Sequence, residues 1–253
     1  MAFVSLDDRR IEYRMIPGRV DRPPIVLLHE GLGSAALWRD FPDRVAERTH
    51  ARVIAYSRFG YGQSSGLDRP RTAHFMHEEA LDVLPRLLDA LDAARPVLLG
   101  HSDGASIALI HAASSGRDVS GLVLMAPHVF VEPATLASIA RIAEQYETTD
   151  LRARLARHHA HVDDAFHGWA RIWLSPAFSS WSLGAEAAQL RLPALLIQGA
   201  DDAYGTVAQL DAIAEVAQGA TSRLVLAACG HAPHRDQPEA VLAAICGFLE
   251  QFL

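Results

Sequence analysis

The chain has 253 residues, of which 50% are hydrophobic and 21% are charged. This length and composition predict a chain that folds around one large core, and they exclude long disordered, collagen-like and coiled-coil architectures. Acidic residues (30) outnumber Lys and Arg (23), which gives a net charge of −7, and no dense basic cluster occurs, so nucleic acid is not an expected partner.

The apolar runs are five to seven residues long, too short to span a bilayer, so we expect no transmembrane helix and no membrane partner. Near the amino terminus, Asp7 and Asp8 interrupt the chain before the apolar region of a secretory signal could develop, which predicts a cytoplasmic protein. Cys229 and Cys246 are too few for a disulfide framework, and we expect both thiols to stay reduced.

Short runs rich in Val, Ile and Leu alternate with longer segments of helical periodicity, which is typical of an α/β fold with a mostly parallel sheet flanked by helices. A hairpin is predicted over residues 3–16. Six buried strands are predicted after it, over residues 24–29, 52–57, 96–100, 121–126, 194–199 and 222–227. Helices are predicted over residues 78–91, 105–113, 208–217 and 238–252.

The interval 129–186 breaks this alternation, because it contains helical sequence and several aromatic residues but no clear strand. A structureless loop of that length is improbable inside a compact domain. We therefore predict a helical cap over residues 129–186, inserted into a core formed by residues 1–128 and 187–253. Most of its aromatic residues should form the cap's own core, and about two, Trp169 and Trp173, are expected to reach the substrate.

The most specific motif is Gly100-His101-Ser102-Asp103-Gly104, which lies between a predicted strand and a predicted helix. Gly-x-Ser-x-Gly in this setting is typical of a nucleophile elbow, a sharp turn that holds the serine in a strained backbone conformation. Glycine on both sides allows the helix to pack closely on the strand. Ser102 is therefore the candidate nucleophile.

An acid and a histidine follow the elbow in the order that such a site requires. Asp201 and Asp202 end the strand predicted at 194–199, and His231 follows the last predicted strand. Since the carboxyl ends of parallel strands meet at one edge of a sheet, these side chains are expected near Ser102. The predicted triad is Ser102, Asp202 and His231.

Several residues compete for these roles. Asp201 and Glu132 are alternative acids, and His101 and His234 are alternative bases. The run His158-His159-Ala-His161 lacks a carboxylate or cysteine complement, so we predict no metal and no cofactor.

A glycine-rich turn, His29-Glu30-Gly31-Leu32-Gly33, follows the first parallel strand. Exposed backbone N–H groups in such a turn can stabilise a developing negative charge. We predict an oxyanion hole formed by the N–H of Gly31 and the N–H of Asp103, which lies at the start of the helix after the elbow.

Taken together, these motifs resemble those of the α/β-hydrolase superfamily over nearly the whole chain. The motifs are the His29-Glu-Gly turn, the segment 57–64 (SRFGYGQS), the elbow, the acid turn at 199–202 and Gly230-His231. The family's acid is usually the third residue after the glycine of the acid turn, which selects Asp202. Two residues depart from the family pattern: Glu30 stands where glycine usually follows the histidine, and Ser57 stands where an aspartate often precedes the arginine.

The resemblance implies a serine hydrolase that cleaves a small carboxylic ester through an acyl-enzyme intermediate. The Ser-Asp-Gly elbow is similar to that of the biphenyl-hydrolase-like group, which includes valacyclovir hydrolase, where the aspartate helps to hold a substrate ammonium. Asp103, with Glu30, is therefore expected to bind a cationic acyl group, although Asp103 could instead complement the helix dipole. His128 is a further expected substrate contact.

Three other functions remain open on the same scaffold. Carbon–carbon bond hydrolysis of vinylogous diketones and lactone opening would use the same triad. A catalytically silent ligand receptor is the alternative outside enzymes, because the fold alone does not establish turnover.

Overall fold

The computed structural model describes residues 1–252. They form one eight-stranded sheet with the order β1-β2-β4-β3-β5-β6-β7-β8. The strands are β1 (Ala2–Leu6), β2 (Arg9–Ile16), β3 (Ile25–Leu28), β4 (Val53–Tyr56), β5 (Val97–His101), β6 (Gly121–Met125), β7 (Ala194–Gly199) and β8 (Thr221–Leu226). The β1–β2 hairpin pairs antiparallel with β4, and the strands from β4 to β8 in that order are parallel. The predicted mostly parallel α/β fold is confirmed.

Helices connect the parallel strands and cover the sheet. They are α1 (Phe41–Thr49), α2 (Phe75–Glu78), α3 (Leu84–Ala90), α4 (Asp103–Ser114), α5 (Pro133–Thr148), α6 (Leu151–Leu155), α7 (Val162–Trp173), α8 (Gly184–Gln189), α9 (Ala208–Val216), α10 (Pro233–Asp236) and α11 (Pro238–Phe252). A π-helical turn, Glu79–Val83, joins α2 to α3, so the helix predicted at 78–91 begins three residues earlier. Over residues 1–252, no helix has both the length and the apolar character needed to cross a bilayer.

The parallel strands are buried on both faces, which explains why their sequences are continuously apolar rather than alternating. Successive residues point to opposite sides. For example, Val26 and Leu98 belong to the core under α3 and α4, whereas Leu27 and Leu99 belong to the core under α1 and α11. Burial of both faces therefore fixes the sheet between two helical layers.

The register of the sheet brings the carboxyl ends of the central strands together. Leu28 at the end of β3 pairs with Gly100 in β5, and His101 at the end of β5 pairs with Met125 in β6. The turns that follow these strands consequently lie at one edge, where open α/β sheets bind their ligands.

The segment between β6 and β7 carries α5 to α8 and leaves the sheet through a narrow neck. Phe130 and Ser182 form an antiparallel bridge, and the N–H of Leu183 donates to the carbonyl of Val129 at 2.7 Å. Beyond the neck, α8 packs against α4 and α9. The predicted boundary between residues 186 and 187 therefore falls inside α8, a few residues past the neck.

Candidate active site

Ser102 is the single residue between β5 and α4, and its backbone adopts φ 54° and ψ −122°. A non-glycine residue with positive φ is strained, at a cost on the order of 1–3 kcal/mol. The flanking glycines are required by close packing, since a Cβ at Gly104 would collide with the carbonyl of Leu28 and a Cβ at Gly100 with the backbone of Ala105. The turn holds the Ser102 side chain, which is nearly buried, at the edge of the sheet.

Ser102, His231 and Asp202 form a continuous hydrogen-bonded chain. Ser102 Oγ lies 2.9 Å from His231 Nε2, and His231 Nδ1 lies 2.8 Å from Asp202 Oδ2 and 3.0 Å from Oδ1. A carboxylate only accepts hydrogen bonds, so Nδ1 carries the proton and Nε2 is free to accept the proton of the serine hydroxyl. This arrangement can remove a proton from Ser102.

The Asp202 carboxylate is fully buried and held on both oxygens. The Gln198 amide donates to Oδ2 at 2.7 Å, and the N–H of Tyr204 donates to Oδ1 at 2.7 Å. Burial by itself raises the pKa of Asp202, but the hydrogen bond and charge of His231 outweigh it, and the pKa lies below its usual value. Asp202 is therefore the ionised partner of the histidine.

The two alternative acids lie elsewhere. Asp201 is exposed, and its backbone N–H donates to the carbonyl of Cys229. The Glu132 carboxylate accepts hydrogen bonds from Thr206 and Gln209. Of the three predicted acids, Asp202 is the one that the structure brings to His231.

Three rings surround the His231 imidazole. Tyr204, His101 and His128 have ring centroids 4.7, 5.1 and 5.8 Å from it. Burial, followed by the nearby His231, lowers the pKa of His128 to about 3, so this ring is neutral. His128 also packs edge-on against Trp173 at 5.1 Å, so it lies between His231 and the α7 indole.

Arg58 holds the glycine-rich turn after β3 through three hydrogen bonds. Its guanidinium donates to the carbonyls of His29 at 2.7 Å and Glu30 at 3.0 Å, and its backbone N–H donates to His29 Nε2 at 3.1 Å. Arg58 thus fixes the carbonyls of His29 and Glu30, while the Gly31 N–H has no partner among residues 1–252.

Two tryptophans of α7 cover this turn and the elbow. A Cβ on Gly31 would collide with the Trp169 indole, so this ring lies directly over the predicted oxyanion donor. Trp173 Nε1 donates to Asp103 Oδ1 at 3.2 Å. Both indoles are buried. Through them, the segment between β6 and β7 contacts Gly31 in the turn after β3 and Asp103 in the elbow.

The Asp103 carboxylate is 1% exposed, and its second oxygen, Oδ2, has no hydrogen-bond partner within residues 1–252. Burial raises the pKa of Asp103 above its usual value, although the charge of Arg58 and the hydrogen bond from Trp173 act in the opposite direction. An unpaired buried carboxylate oxygen next to Ser102 is an acceptor available to a ligand.

Glu30, a predicted substrate contact, faces the histidine loop rather than Asp103. Its carboxylate lies 3.5 Å from His101 Nδ1 and 3.8 Å from the Arg235 guanidinium. Glu30 and Asp103 were expected to bind a substrate together. In the structure their carboxylates have different partners, His101 and Arg235 for Glu30 and Trp173 for Asp103.

The second departure from the family pattern, Ser57, has a local explanation. Its hydroxyl donates to the Glu12 carboxylate at 2.8 Å and accepts from the N–H of Ala35 at 2.9 Å. Glu12 lies in β2, so a neighbouring strand supplies the carboxylate that an aspartate at 57 would carry.

The sequence analysis missed two residues that connect the site. Arg58 lies in the quoted segment 57–64, so its motif was visible but its role in holding the turn was not. His159 is buried, accepts from the N–H of Gly62 at 3.0 Å and donates to the carbonyl of Leu32 at 3.1 Å. Its neighbours His158 and His161 do not join it, and residues 1–252 contain no group of three or more metal-ligating side chains that could hold an ion.

Comparison with known proteins gives a family and several relatives. The alpha/beta hydrolase family matches residues 25–244. Proline iminopeptidase from Lactobacillus helveticus (strain DPC 4571) is 34% identical over 100 residues, which are 39% of this chain and 33% of that protein. The chain thus aligns with about a third of the length of the curated relatives it matches.

Solved structures match over nearly the whole chain. A hydrolase from Pseudomonas aeruginosa PA01 has a TM-score of 0.75 and 25% identity, covering 98% of this chain and 97% of that one. The enol-lactonase from Burkholderia xenovorans LB400 has a TM-score of 0.73 and 22% identity, covering 98% and 100%. The family match runs from β3 into α11 and confirms the resemblance seen in the sequence: the protein belongs to the alpha/beta hydrolase family.

Proposed function

We propose that this protein is a serine hydrolase that cleaves a small carboxylic ester through an acyl-enzyme intermediate. The observation that carries the proposal is the hydrogen-bonded chain in which Ser102 Oγ, 2.9 Å from His231 Nε2, continues through Nδ1 to Asp202 at 2.8 Å. The family supports hydrolysis, and the strained serine supports a nucleophile.

In the first half-reaction, Ser102 Oγ attacks the ester carbonyl carbon while His231 Nε2 takes the hydroxyl proton. Asp202 stabilises the resulting imidazolium and keeps the ring in the Nδ1–H tautomer. The tetrahedral intermediate then collapses: the bond from carbon to the leaving oxygen breaks, and His231 returns the proton to the departing alcohol. Water repeats the sequence on the acyl-enzyme and releases the carboxylic acid.

The negative oxygen of each tetrahedral intermediate would be stabilised by the N–H groups of Gly31 and Asp103. The Gly31 N–H has no partner among the described residues. The Asp103 N–H opens α4, where helical N–H groups lack an acceptor in the preceding turn. Each donor is expected to contribute about 3 kcal/mol in the transition state.

Residues 129–186 would form a cap over this site. The neck at Phe130 and Ser182 allows the segment to act as a unit, and Trp169 and Trp173 bring its α7 onto the turn and the elbow. Since the ester must reach a nearly buried Ser102, substrate entry requires these indoles to move, and they would then line the pocket.

The acyl group of the substrate would carry an amine next to the scissile carbonyl. Asp103 Oδ2 is buried beside Ser102 without a partner among the described residues, and a substrate ammonium would satisfy it. Several of the curated relatives are called proline iminopeptidases. The opposing explanation is that Asp103 only complements the positive end of α4.

A fluorophosphonate that labels activated serines tests the main proposal. We expect covalent modification of the wild-type protein and loss of labelling and of p-nitrophenyl ester hydrolysis in Ser102→Ala. A folded wild-type protein that stays unlabelled would favour a silent receptor. Faster turnover of a dienoate diketone, or of a lactone, than of every ester would favour one of the two other hydrolytic reactions.

A matched pair of substrates tests the amine. p-Nitrophenyl esters of alanine and of propionic acid differ at the α-position by the amino group alone. We expect kcat/KM at least about 10-fold higher for the alanine ester, corresponding to ~1.5 kcal/mol for a charge-assisted hydrogen bond. Asp103→Asn keeps the backbone N–H and should remove the preference. Equal rates in the wild-type protein would exclude an amine-binding role for Asp103.

A further inference from the structure

His101 immediately precedes the nucleophile and contacts the loop that carries the base. Its Nε2 lies 2.6 Å from the carbonyl oxygen of His231. A carbonyl oxygen only accepts, so Nε2 carries a proton and donates. The side chain is buried, with its ring against Trp38 and 4.9 Å from the ring of His234.

The other nitrogen of this ring faces a carboxylate. His101 Nδ1 lies 3.5 Å from Glu30 Oε2, an ion-pair distance. With Nε2 already protonated, a neutral ring would direct its Nδ1 lone pair at the carboxylate, which is repulsive. An imidazolium would direct an N–H there instead. Since Nδ1 has no hydrogen-bond partner within residues 1–252, the 3.5 Å contact would be an ion pair rather than a hydrogen bond.

Glu30 is ionised. Burial by itself raises the pKa of Glu30, but contact with His101, followed by the charge of Arg235, outweighs it and holds the pKa well below its usual range. Arg235 lies 3.8 Å from the second oxygen of Glu30, so the carboxylate lies between the His101 ring and the Arg235 guanidinium.

Other charged or titratable groups reach His101 from the elements packed around it. The turn after β3 contributes Glu30, α10 contributes His234 and Arg235, and the loop before α10 contributes His231. Burial, followed by the charge of His101, lowers the pKa of His234 far below its usual value, so that ring is neutral. Glu30 is therefore the anion that faces the His101 ring from these elements.

We propose that Glu30 and His101 are a positioning pair for the hydrolytic reaction, an ion pair that fixes the backbone of His231 so that its Nε2 points at Ser102. The inference rests on the proposed function. Through this pair, the glycine-rich turn, the elbow and the histidine loop are held to one another by side chains. Glu30 stands where glycine is usual in the family, and a glycine at this position could not form the pair.

The pair also affects the charge around the base. The His101 ring centroid lies 5.1 Å from that of His231, so the proposed pair would place a positive charge close to the base. Removal of this charge should therefore change the pH dependence of the reaction.

Nitrogen NMR of histidine-labelled protein tests the ion pair directly. We expect both nitrogens of His101 to be protonated at pH 7 in the wild-type protein and one in Glu30→Gln. His101→Gln assigns the signal by its disappearance. A singly protonated His101 in the wild-type protein would overturn the pair.

Kinetics then test the positioning role. His101→Gln keeps an amide N–H for the His231 carbonyl but removes the cation, so the acid limb of the kcat/KM profile should move upward by roughly 0.5–1 pH unit. His101→Leu removes the donor and should lower kcat about 10-fold with little change in KM. An unchanged acid limb in folded His101→Gln would overturn the proposal.

Two controls separate this inference from a general loss of stability or of function. Asp89→Asn breaks an exposed ion pair with Arg117 and should leave the acid limb unchanged. Fluorophosphonate labelling of wild-type Ser102 checks the proposed function independently. If Ser102 is labelled but substitution of His101 leaves the acid limb of the kcat/KM profile unchanged, the positioning pair is refuted and the proposed function is not.

Discussion

The edge of the sheet and the segment between β6 and β7 both contact the candidate site, but they are held there by different forces. At the edge, backbone geometry fixes the candidate nucleophile: Ser102 is strained at φ 54°, and Gly104 allows α4 to approach β3. In the inserted segment, side chains make the contacts, as when Trp173 donates to Asp103. The backbone turn that positions Ser102 therefore does not depend on the inserted segment.

This difference separates two kinds of substitution. A change at the edge of the sheet should impair the reaction for every substrate, because it alters the atoms that react. A change in the inserted segment should alter which substrate is accepted, or how firmly the segment is held, while Ser102 keeps its reactivity.

The largest effect is expected at the acid. Asp202→Asn keeps the size of the side chain but cannot hold the His231 ring in the Nδ1–H tautomer, so kcat should fall about 10⁴-fold. Steady-state hydrolysis of a p-nitrophenyl ester measures this loss. Asp201→Asn is the matched control, since Asp201 is exposed and makes no side-chain hydrogen bond to a described residue. If kcat fell more in Asp201→Asn than in Asp202→Asn, Asp201 would be the acid of the triad instead.

A smaller and more selective effect is expected in α7. Trp173→Phe retains an aromatic ring but removes the N–H that donates to Asp103. The ratio of kcat/KM for the p-nitrophenyl esters of alanine and propionic acid should therefore change roughly 10-fold. The rate of fluorophosphonate labelling at Ser102 should stay within a few-fold of wild type. If the labelling rate and kcat/KM for every substrate fell together, Trp173 would support the reacting groups themselves. The proposed difference between the two regions would then be wrong.

The edge of the sheet was largely predictable because its signals are local. The strand predicted at 24–29 is observed at Ile25–Leu28, and the elbow motif specifies its own backbone turn. The choice of Asp202 over Asp201 needed the family resemblance, because two adjacent carboxylates carry the same local signal. The structure supplies the reason: Gln198 and Tyr204 hold Asp202 toward His231.

The contacts of the inserted segment were predictable only in outline. Aromatic content pointed to Trp169 and Trp173, but their positions over Gly31 and Asp103 depend on how α7 packs. Glu30 was expected to bind substrate from its place beside the turn, yet its carboxylate pairs with His101 and Arg235, which are distant in sequence. Long-range side-chain pairs leave no periodic signal that a single sequence could reveal.

The smallest predicted effect concerns His159, which attaches the inserted segment to the edge of the sheet. Its Nδ1 accepts from the Gly62 N–H and its Nε2 donates to the Leu32 carbonyl, so the ring must be neutral. Burial lowers the pKa of His159. Between this lowered pKa and the unfolded value of about 6.5, the unfolded chain binds the extra proton. The free energy of unfolding therefore falls as the pH drops below about 6.5.

His159→Gln offers an amide oxygen to Gly62 and an amide N–H to Leu32 but does not titrate in this range. We expect it to be ~1 kcal/mol less stable than wild type at pH 7.5, with the difference narrowing as the pH falls to 5, as urea unfolding at both pH values would measure. Exposed His158→Gln is the neighbouring control and should follow the wild-type pH dependence. If the free energies of unfolding of His159→Gln and wild type changed in parallel with pH, protonation of this ring would not loosen the inserted segment. The attachment of the segment would then depend on the indoles of α7 instead.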